Sequence, residues 1–449
     1  MKRISIYFFV LSFLVVSCSK KLEINPTQSI AEEEVFTSDQ NIKAALNGAY
    51  DAVSSSYLLG GDLQLYSELL AADGEIRWAG TYNQPREIWN KAIITNNSYV
   101  ASTWTDAYKA INICNNILKA IDIVNEEDRD RVKGEALLLR GLTYFELVKL
   151  YAKPYSAGNV SANLGLQLIT TPTVGNISDS NRVPRSTVQQ TYDLVLSDLK
   201  EAKSLLPEDN GVYANVYVAS AILSRIYLQT GDYAAARDEA HNVIENSSYK
   251  LVDKYSAAFN NEANSTEDIF ALQVTAQDGS NDMQLFWSIA DYGARDGDVD
   301  VLQKHINLYN ASDDRVSLFY KDDAGIWRSG KWKFQYRNMP LIRLAEMYLT
   351  RAECNERLGT SEGNTPHDDI EEIRSRVGLT TPATVSLNDI LLERKLELAH
   401  EGQAIHDVKR LKKTVDGFAF DANQLVFPIP LREINALGSS ILKQNDGYQ

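Results

Sequence analysis

Apolar positions recur along most of this chain at helical spacing. Ile42, Ala45, Leu46, Ala49, Tyr50 and Val53 stand at i, i+3, i+4, i+7, i+8 and i+11, and this stripe predicts a helix behind the cap offered by Thr37-Ser38-Asp39. The same reading predicts a helix from about Trp104 to Asp122, with Trp104, Tyr108, Ile111, Leu118 and Ile121 on one side, and another from Lys133 to Tyr151. An interruption follows, with Pro154, Gly158, Gly165, Pro172, Gly175 and Pro184, which must loop out before the run STVQQTYDLVLSDLKEAKSLLP restores the period. Two amphipathic runs then flank Thr230-Gly231-Asp232 within residues 213–245. Periodicity returns over Pro340 to Gly359, around Ile370, Ile373 and Val377, and as one more helix over residues 389–411. It loosens from Gly60 to Asn97, where Asp73 to Tyr82 reads as a loop carrying large rings. It fails again over residues 250–336, where Gly and Asp turns, a short strand near residues 266–274 and a crowd of aromatics replace it. The fold class that follows is mainly α, built from helix pairs, with loop-rich insertions and a few short strands.

Small residues show how the helices pair. In residues 213–245, Leu223, Ser224, Tyr227, Gly231, Tyr233, Ala236, Ala240 and Val243 fall at tetratricopeptide spacing, although Ser220, Ala240 and Ser248 occupy the slots for Trp, Phe and Pro. Close helix crossing needs small residues, and Gly past a helix end can take the left-handed conformation that closes it. Leu137, Gly141 and Tyr144 begin a second such repeat, whose later slots, Leu199, Ala202 and Pro207, lie beyond the interruption. Tyr348, Ala352 and Gly359 sit at the same spacing again.

The N-terminus adds an address. Lys2-Arg3 precede an apolar run from Ile4 to Ser17, too short to span a bilayer and suited to a secretory signal. Its end, Val15-Val16-Ser17-Cys18, resembles the lipobox of bacterial lipoproteins, which makes Cys18 the expected lipidation site and residues 1–17 a signal peptide. Acyl chains of the palmitate class would then anchor the mature protein to a membrane without spanning it. Residues 18–40 read as lipidated cysteine and tether, and residues 41–449 as the folded domain. The remaining cysteines, Cys114 and Cys354, lie in helical patterns and are expected as buried free thiols. A formal net charge of −15, with no cluster of Lys and Arg, argues against nucleic acid as a partner.

Several stretches together resemble the SusD/RagB family of Bacteroidetes outer-membrane lipoproteins. They are Ser17-Cys18 followed by LEINP, the NGAYDAV end of the first helix, EALLLRGLTYFELVKLYA, RLAEMYLTRAECNERLG, EEIRSRVGL, LLERKLELAHEGQAIHDVKRL, FPIPLREINAL and QNDGY. The resemblance implies a single SusD-like domain, with an N-terminal part over about residues 41–250 and a C-terminal part over about 251–449. Tetratricopeptide-type helix pairs would cradle a more variable part that bears the ligand surface. It also implies a SusC-like TonB-dependent transporter as partner, with the lipoprotein as a cell-surface lid that captures an oligosaccharide or other nutrient. A tetratricopeptide scaffold for another protein and a peptide-binding relative are the alternatives. Family patterns often place an aromatic near Ala399 and Arg near His406, and this chain departs from both.

Glycan binding needs flat aromatic faces for the apolar C–H faces of sugars, with polar groups to fix hydroxyls. Trp78, Tyr82 and Trp89, with Asp73 and Arg77 nearby, make one candidate set, and Trp287 with Tyr292 a second. Enzyme readings have less behind them. Glu393, Glu397 and Glu401 recur every four residues, as a solvated helix face or a salt-bridge network would. His400-Glu401 lacks a second His at Ala404, so no zinc helix of the HExxH type is present. No nucleophile elbow, phosphate-binding glycine loop or other cofactor motif appears. Asp296, Asp298 and Asp300 alternate without the rest of an EF-hand loop and read as an exposed turn.

Overall fold

The computed structural model describes residues 36–173, 182–277, 279 and 281–448. Cys18 and the signal segment lie outside the described residues. The N-terminal half comprises α1 (Asp39–Val53), α2 (Asp62–Leu70), β1 (Ile76–Trp78), α3 (Asn83–Trp89), α4 (Ser98–Lys119), α5 (Glu126–Tyr151), α6 (Val188–Leu205), α7 (Val216–Thr230) and α8 (Tyr233–Asn246). The remainder comprises β2 (Asp268–Leu272), α9 (Asp282–Trp287), β3 (Val299–Val301), α10 (Gln303–Ile306), β4 (Phe319–Lys321), β5 (Trp327–Ser329) and β6 (Met339–Arg343). It ends with α11 (Leu344–Leu358), α12 (Pro366–Ser375), α13 (Leu387–Glu397), α14 (Ala404–Arg410) and α15 (Leu431–Leu437).

Helices α1, α4, α5, α6, α7, α8 and α11 pack in succession, each against the next, and α11 continues onto α12 and α13. The reasons are local. Ser38 caps α1 by accepting from the Asn41 N–H, and Thr187 with Gln190 forms a reciprocal capping box on α6. At the crossing of α5 and α6, a Cβ on Gly141 would stand 3.2 Å from the Leu199 side chain, so a larger residue would require its neighbours to give by a few tenths of an ångström. The turn from α7 to α8 closes on Gly231 at φ +82°, and the Ser224 hydroxyl donates to the Ala236 carbonyl at 2.9 Å across the pair. Cys114 and Cys354 are buried thiols, pushed up to about 12 by desolvation.

Two expectations need correction. The helix read from Pro340 starts at Leu344, because residues 339–343 form β6 and pair antiparallel with β2, Pro340 opposite Ala271. Proline is tolerated there because β6 has a single partner and therefore an edge. The helix read over residues 389–411 is two helices, α13 and α14. His400 at φ +64° and Gly402 at φ +82° take the left-handed conformation between them and turn the chain.

Glu393, Glu397 and Glu401 are a salt-bridge network rather than a solvated face. Glu397 sits among Arg343 at 3.1 Å, Arg376 at 2.5 Å and Arg315 at 3.4 Å, all buried or nearly so. Arg315 also reaches Glu393 at 2.7 Å, and Lys331 reaches Glu401 at 2.6 Å. These pairs join the β2–β6 ribbon to α12 and α13 and hold the non-helical part against the helix stack.

Candidate functional site

The irregular part between α8 and α11 centres on a sheet of order β1-β3-β5-β4. β1 pairs antiparallel with β3, setting Arg77 opposite Asp300 and Trp78 opposite Val299. Asp298 and Asp300 are therefore buried, not exposed in a turn. Arg295 reaches Asp298 at 2.6 Å, while Arg77 at 2.9 Å and Arg328 at 2.8 Å both reach Asp300. Their charges are matched by guanidinium groups, and among the described residues no group of three or more metal-ligating side chains is found.

This arrangement sorts the candidate residues. Trp78 is 1% exposed, its ring against Phe286 and its indole N–H donating to the Tyr82 carbonyl at 3.0 Å. Trp287 is 0% exposed, at the end of α9, with His400 stacked 4.4 Å from it. Both rings are core, which corrects the expectation that they offer faces to a ligand. Trp89 is half-buried against the same core. Asp73 is exposed and faces Lys304 at 3.6 Å, and Arg77 is committed to Asp300. Tyr82 and Tyr292 remain.

Tyr82 is 38% exposed and stands among rings that sequence reasoning left out. Its neighbours are Tyr99, at 6.4 Å between centroids, and Phe286, at 6.2 Å; Tyr57 in turn meets Tyr99 at 5.7 Å. Arg295 lies over the Tyr82 ring at 3.9 Å and donates to the Thr81 hydroxyl at 3.0 Å. From Arg295 the backbone leads through Gly293 to Tyr292, whose ring meets Tyr320 at 5.8 Å and Phe334 at 5.4 Å, with the Lys333 ammonium 4.3 Å above it. The segment 292–295 is pinned onto α9, since the Arg295 N–H donates to the Leu285 carbonyl and the Gln284 amide donates to the Tyr292 carbonyl. Two groups of rings make up a rim, Tyr57, Tyr99 and Tyr82 with Arg295, and Tyr292, Tyr320 and Phe334 with Lys333, joined through the backbone of residues 292–295. Partly exposed rings beside hydrogen-bond donors are the chemistry that holds a sugar. The order of Tyr57 and Tyr99 on this rim is tertiary information, because each belongs to a segment that reads as ordinary helix or loop.

Beneath the rim lie two buried carboxylates, Asp62 and Asp282. They adjoin one another, and Tyr66 donates to Asp62 at 2.7 Å. Desolvation pushes both up, Asp282 to about 6, and repulsion from Asp282 raises Asp62 further. They are adjacent and buried and do not flank the rim, so they lack the separation that an acid and base on either side of a glycosidic bond require. Asp282 also ties α9 to the turn before α2, its N–H donating to the Gly60 carbonyl at 2.9 Å. Gly61, at φ +142°, lets the backbones meet, as a Cβ there would stand 2.6 Å from the Met283 nitrogen.

Comparison with known proteins gives the same outline. A family model described as the SusD family matches residues 174–423, and a second, described as starch-binding and associating with the outer membrane, matches residues 21–228. A SusD-like protein, P2, of Formosa agariphila is 26% identical with 100% of each chain covered. The crystal structure of a SusD superfamily protein from Bacteroides vulgatus superposes with a TM-score of 0.82 at 27% identity, covering 92% of this chain and 99% of that one. A laminarin-binding SusD-like protein shares the fold with a TM-score of 0.77 at 23% identity, covering 92% of this chain and 100% of its own.

Proposed function

The chain belongs to the SusD family, and from that membership we propose that it is a cell-surface lipoprotein that binds an oligosaccharide and delivers it to a SusC-like TonB-dependent transporter in the outer membrane. The observation that carries the glycan reading is the rim from Tyr57 to Phe334, with two exposed rings, Tyr82 beside the guanidinium of Arg295 and Phe334 beside Tyr292. The description of the family model over residues 21–228, starch-binding and outer-membrane associated, supports the same class of ligand and the same location. Laminarin binding by a protein of the same fold adds a β-glucan to the polysaccharides worth testing. Lipidation at Cys18 supplies the anchor in this reading, and the transporter supplies the route inward.

The test is an affinity gel of residues 19–449 against starch, laminarin, host glycans and plant polysaccharides, followed by calorimetry. Retardation by one class, lost in Tyr82→Ala, is the expected result. No retardation by any polysaccharide, with the purified transporter present as well as absent, sinks the glycan reading and leaves peptide as the cargo to test.

A further inference from the structure

A separate cavity of about 160 Å³ lies away from the rim, between α2 and the α13–α14 corner. An enclosed space of this order holds a ligand the size of benzene. Its wall is in part apolar, with Ile76, Leu398 and Val408, and it reaches solvent beside the exposed Lys413. Of its polar groups, one has no hydrogen-bond partner and another has backbone donors but no counter-ion. His400 is 2% exposed, its faces covered by Trp287 at 4.4 Å and His305 at 4.7 Å, and neither ring nitrogen has a hydrogen-bond partner. Burial beside His305 and Lys331 holds this imidazole neutral, which leaves one nitrogen as an acceptor.

Glu68 is the second. Its carboxylate is 6% exposed and accepts from the Gly402 N–H at 2.9 Å, but no lysine or arginine among the described residues pairs with it. The other carboxylates around the cavity are matched, and Lys413 at the mouth projects into solvent. Glu75 pairs with Lys395 and with His305 at 3.1 Å, and Asp407 pairs with Arg394 at 3.0 Å. Lys331, the cation felt most strongly by Glu68, is committed to Glu401. Desolvation accordingly pushes the Glu68 carboxyl up to about 7. Position 404, where α14 begins beside Glu68, is an alanine and leaves the space open.

We propose that this cavity binds a small planar organic cation of the amidinium or guanidinium class, with Glu68 as counter-ion and His400 as second acceptor. A carboxylate offers about four lone-pair sites, so the backbone donors leave room for the cation. A planar delocalised cation is more weakly hydrated than an ammonium and loses less on entering an apolar pocket. Its flat body fits against Leu398 and Val408.

The probe is benzamidine, titrated by calorimetry into residues 19–449 at pH 8, with benzyl alcohol as a neutral control of similar size. Benzamidine is expected to bind and benzyl alcohol to bind at least roughly tenfold more weakly, in line with a charge-assisted hydrogen bond. Glu68→Gln is expected to lower benzamidine affinity by roughly 10- to 100-fold. Ala404→Arg places a guanidinium of the protein's own in the cavity, and is expected to raise Tm and abolish benzamidine binding while leaving retardation by a polysaccharide unchanged. That variant keeps the test decisive should Glu68→Gln fail to fold. Equal binding of the two probes, no benzamidine binding by the wild type, or undiminished binding by folded Ala404→Arg would each overturn the proposal. None of these readouts depends on glycan binding.

Discussion

A ring contributes to sugar binding only through a face that water can reach, so burial separates Tyr82 from Trp287 more sharply than residue type does. Removing the Tyr82 ring deletes an exposed face, and ring packing of this kind contributes about 0.5–1.5 kcal/mol. Tyr82→Ala is therefore expected to weaken polysaccharide binding by roughly 2- to 12-fold with Tm nearly unchanged. Trp287→Ala instead empties the space under α9, and truncation of a buried Trp costs about 3–5 kcal/mol. Chemical denaturation beside calorimetry on both variants separates the two outcomes, and the assignment fails if Tyr82→Ala is the one that loses stability. The sequence named both residues for the same reason, a large aromatic in a loop-rich region. It could not distinguish them, because His400, which covers Trp287, comes from a distant helix corner, and α9 is itself seated by its tight meeting with Gly61. Tyr99 illustrates the converse. Its neighbour Val100 faces the core of α4, and nothing in the local pattern marks Tyr99 as the ring beside Tyr82.

Elements set by short-range pattern were the legible ones. The α7–α8 pair could be read from Leu223, Ser224, Gly231 and Ala236, because the contacts that define it lie within one hairpin. The α13–α14 corner could not, since the apolar period runs on through His400 while the chain turns there. What fixes that turn is the network around Glu397, whose partners Arg315, Arg343 and Arg376 come from other elements. Arginines around it hold the Glu397 carboxyl down at about 2 despite complete burial. Its folded value thus lies below its unfolded one of 4.5, so its stabilisation is fully present above about pH 4.5 and is lost as pH falls toward 2. Glu397→Gln leaves three guanidinium groups short of a partner and is expected to cost about 3–5 kcal/mol at pH 7. Urea denaturation at pH 7 and at pH 3 checks both parts. The cost should shrink at the lower pH, where the unfolded chain already carries the proton that folding must expel, and an equal cost at both would mean that Glu397 acts through packing alone.

On the scale of the whole molecule, the proposed function divides the work between a binding domain and an anchor. The helix stack holds the irregular part rigidly through buried ion pairs, so the rim needs no membrane to form. Uptake, as proposed, is different, because it requires the domain to stay beside a transporter. An anchor in the same membrane confines that encounter to one surface and raises the local concentration of the domain beside the transporter. Each buried methylene of a lipid contributes about 0.8 kcal/mol, so more than one acyl chain on Cys18 makes detachment negligible. Cys18→Ser is accordingly expected to move the protein from the membrane fraction to the soluble fraction. Its polysaccharide affinity in calorimetry should be unchanged, while uptake of the polysaccharide by cells and co-purification with the transporter should both fall. Fractionation and an uptake assay on the same strain make the comparison direct. If the variant stays in the membrane fraction, the anchor is not at Cys18. If it leaves the membrane and uptake is undiminished, the lid-on-transporter arrangement is wrong, because a freely diffusing domain would then serve as well as a tethered one.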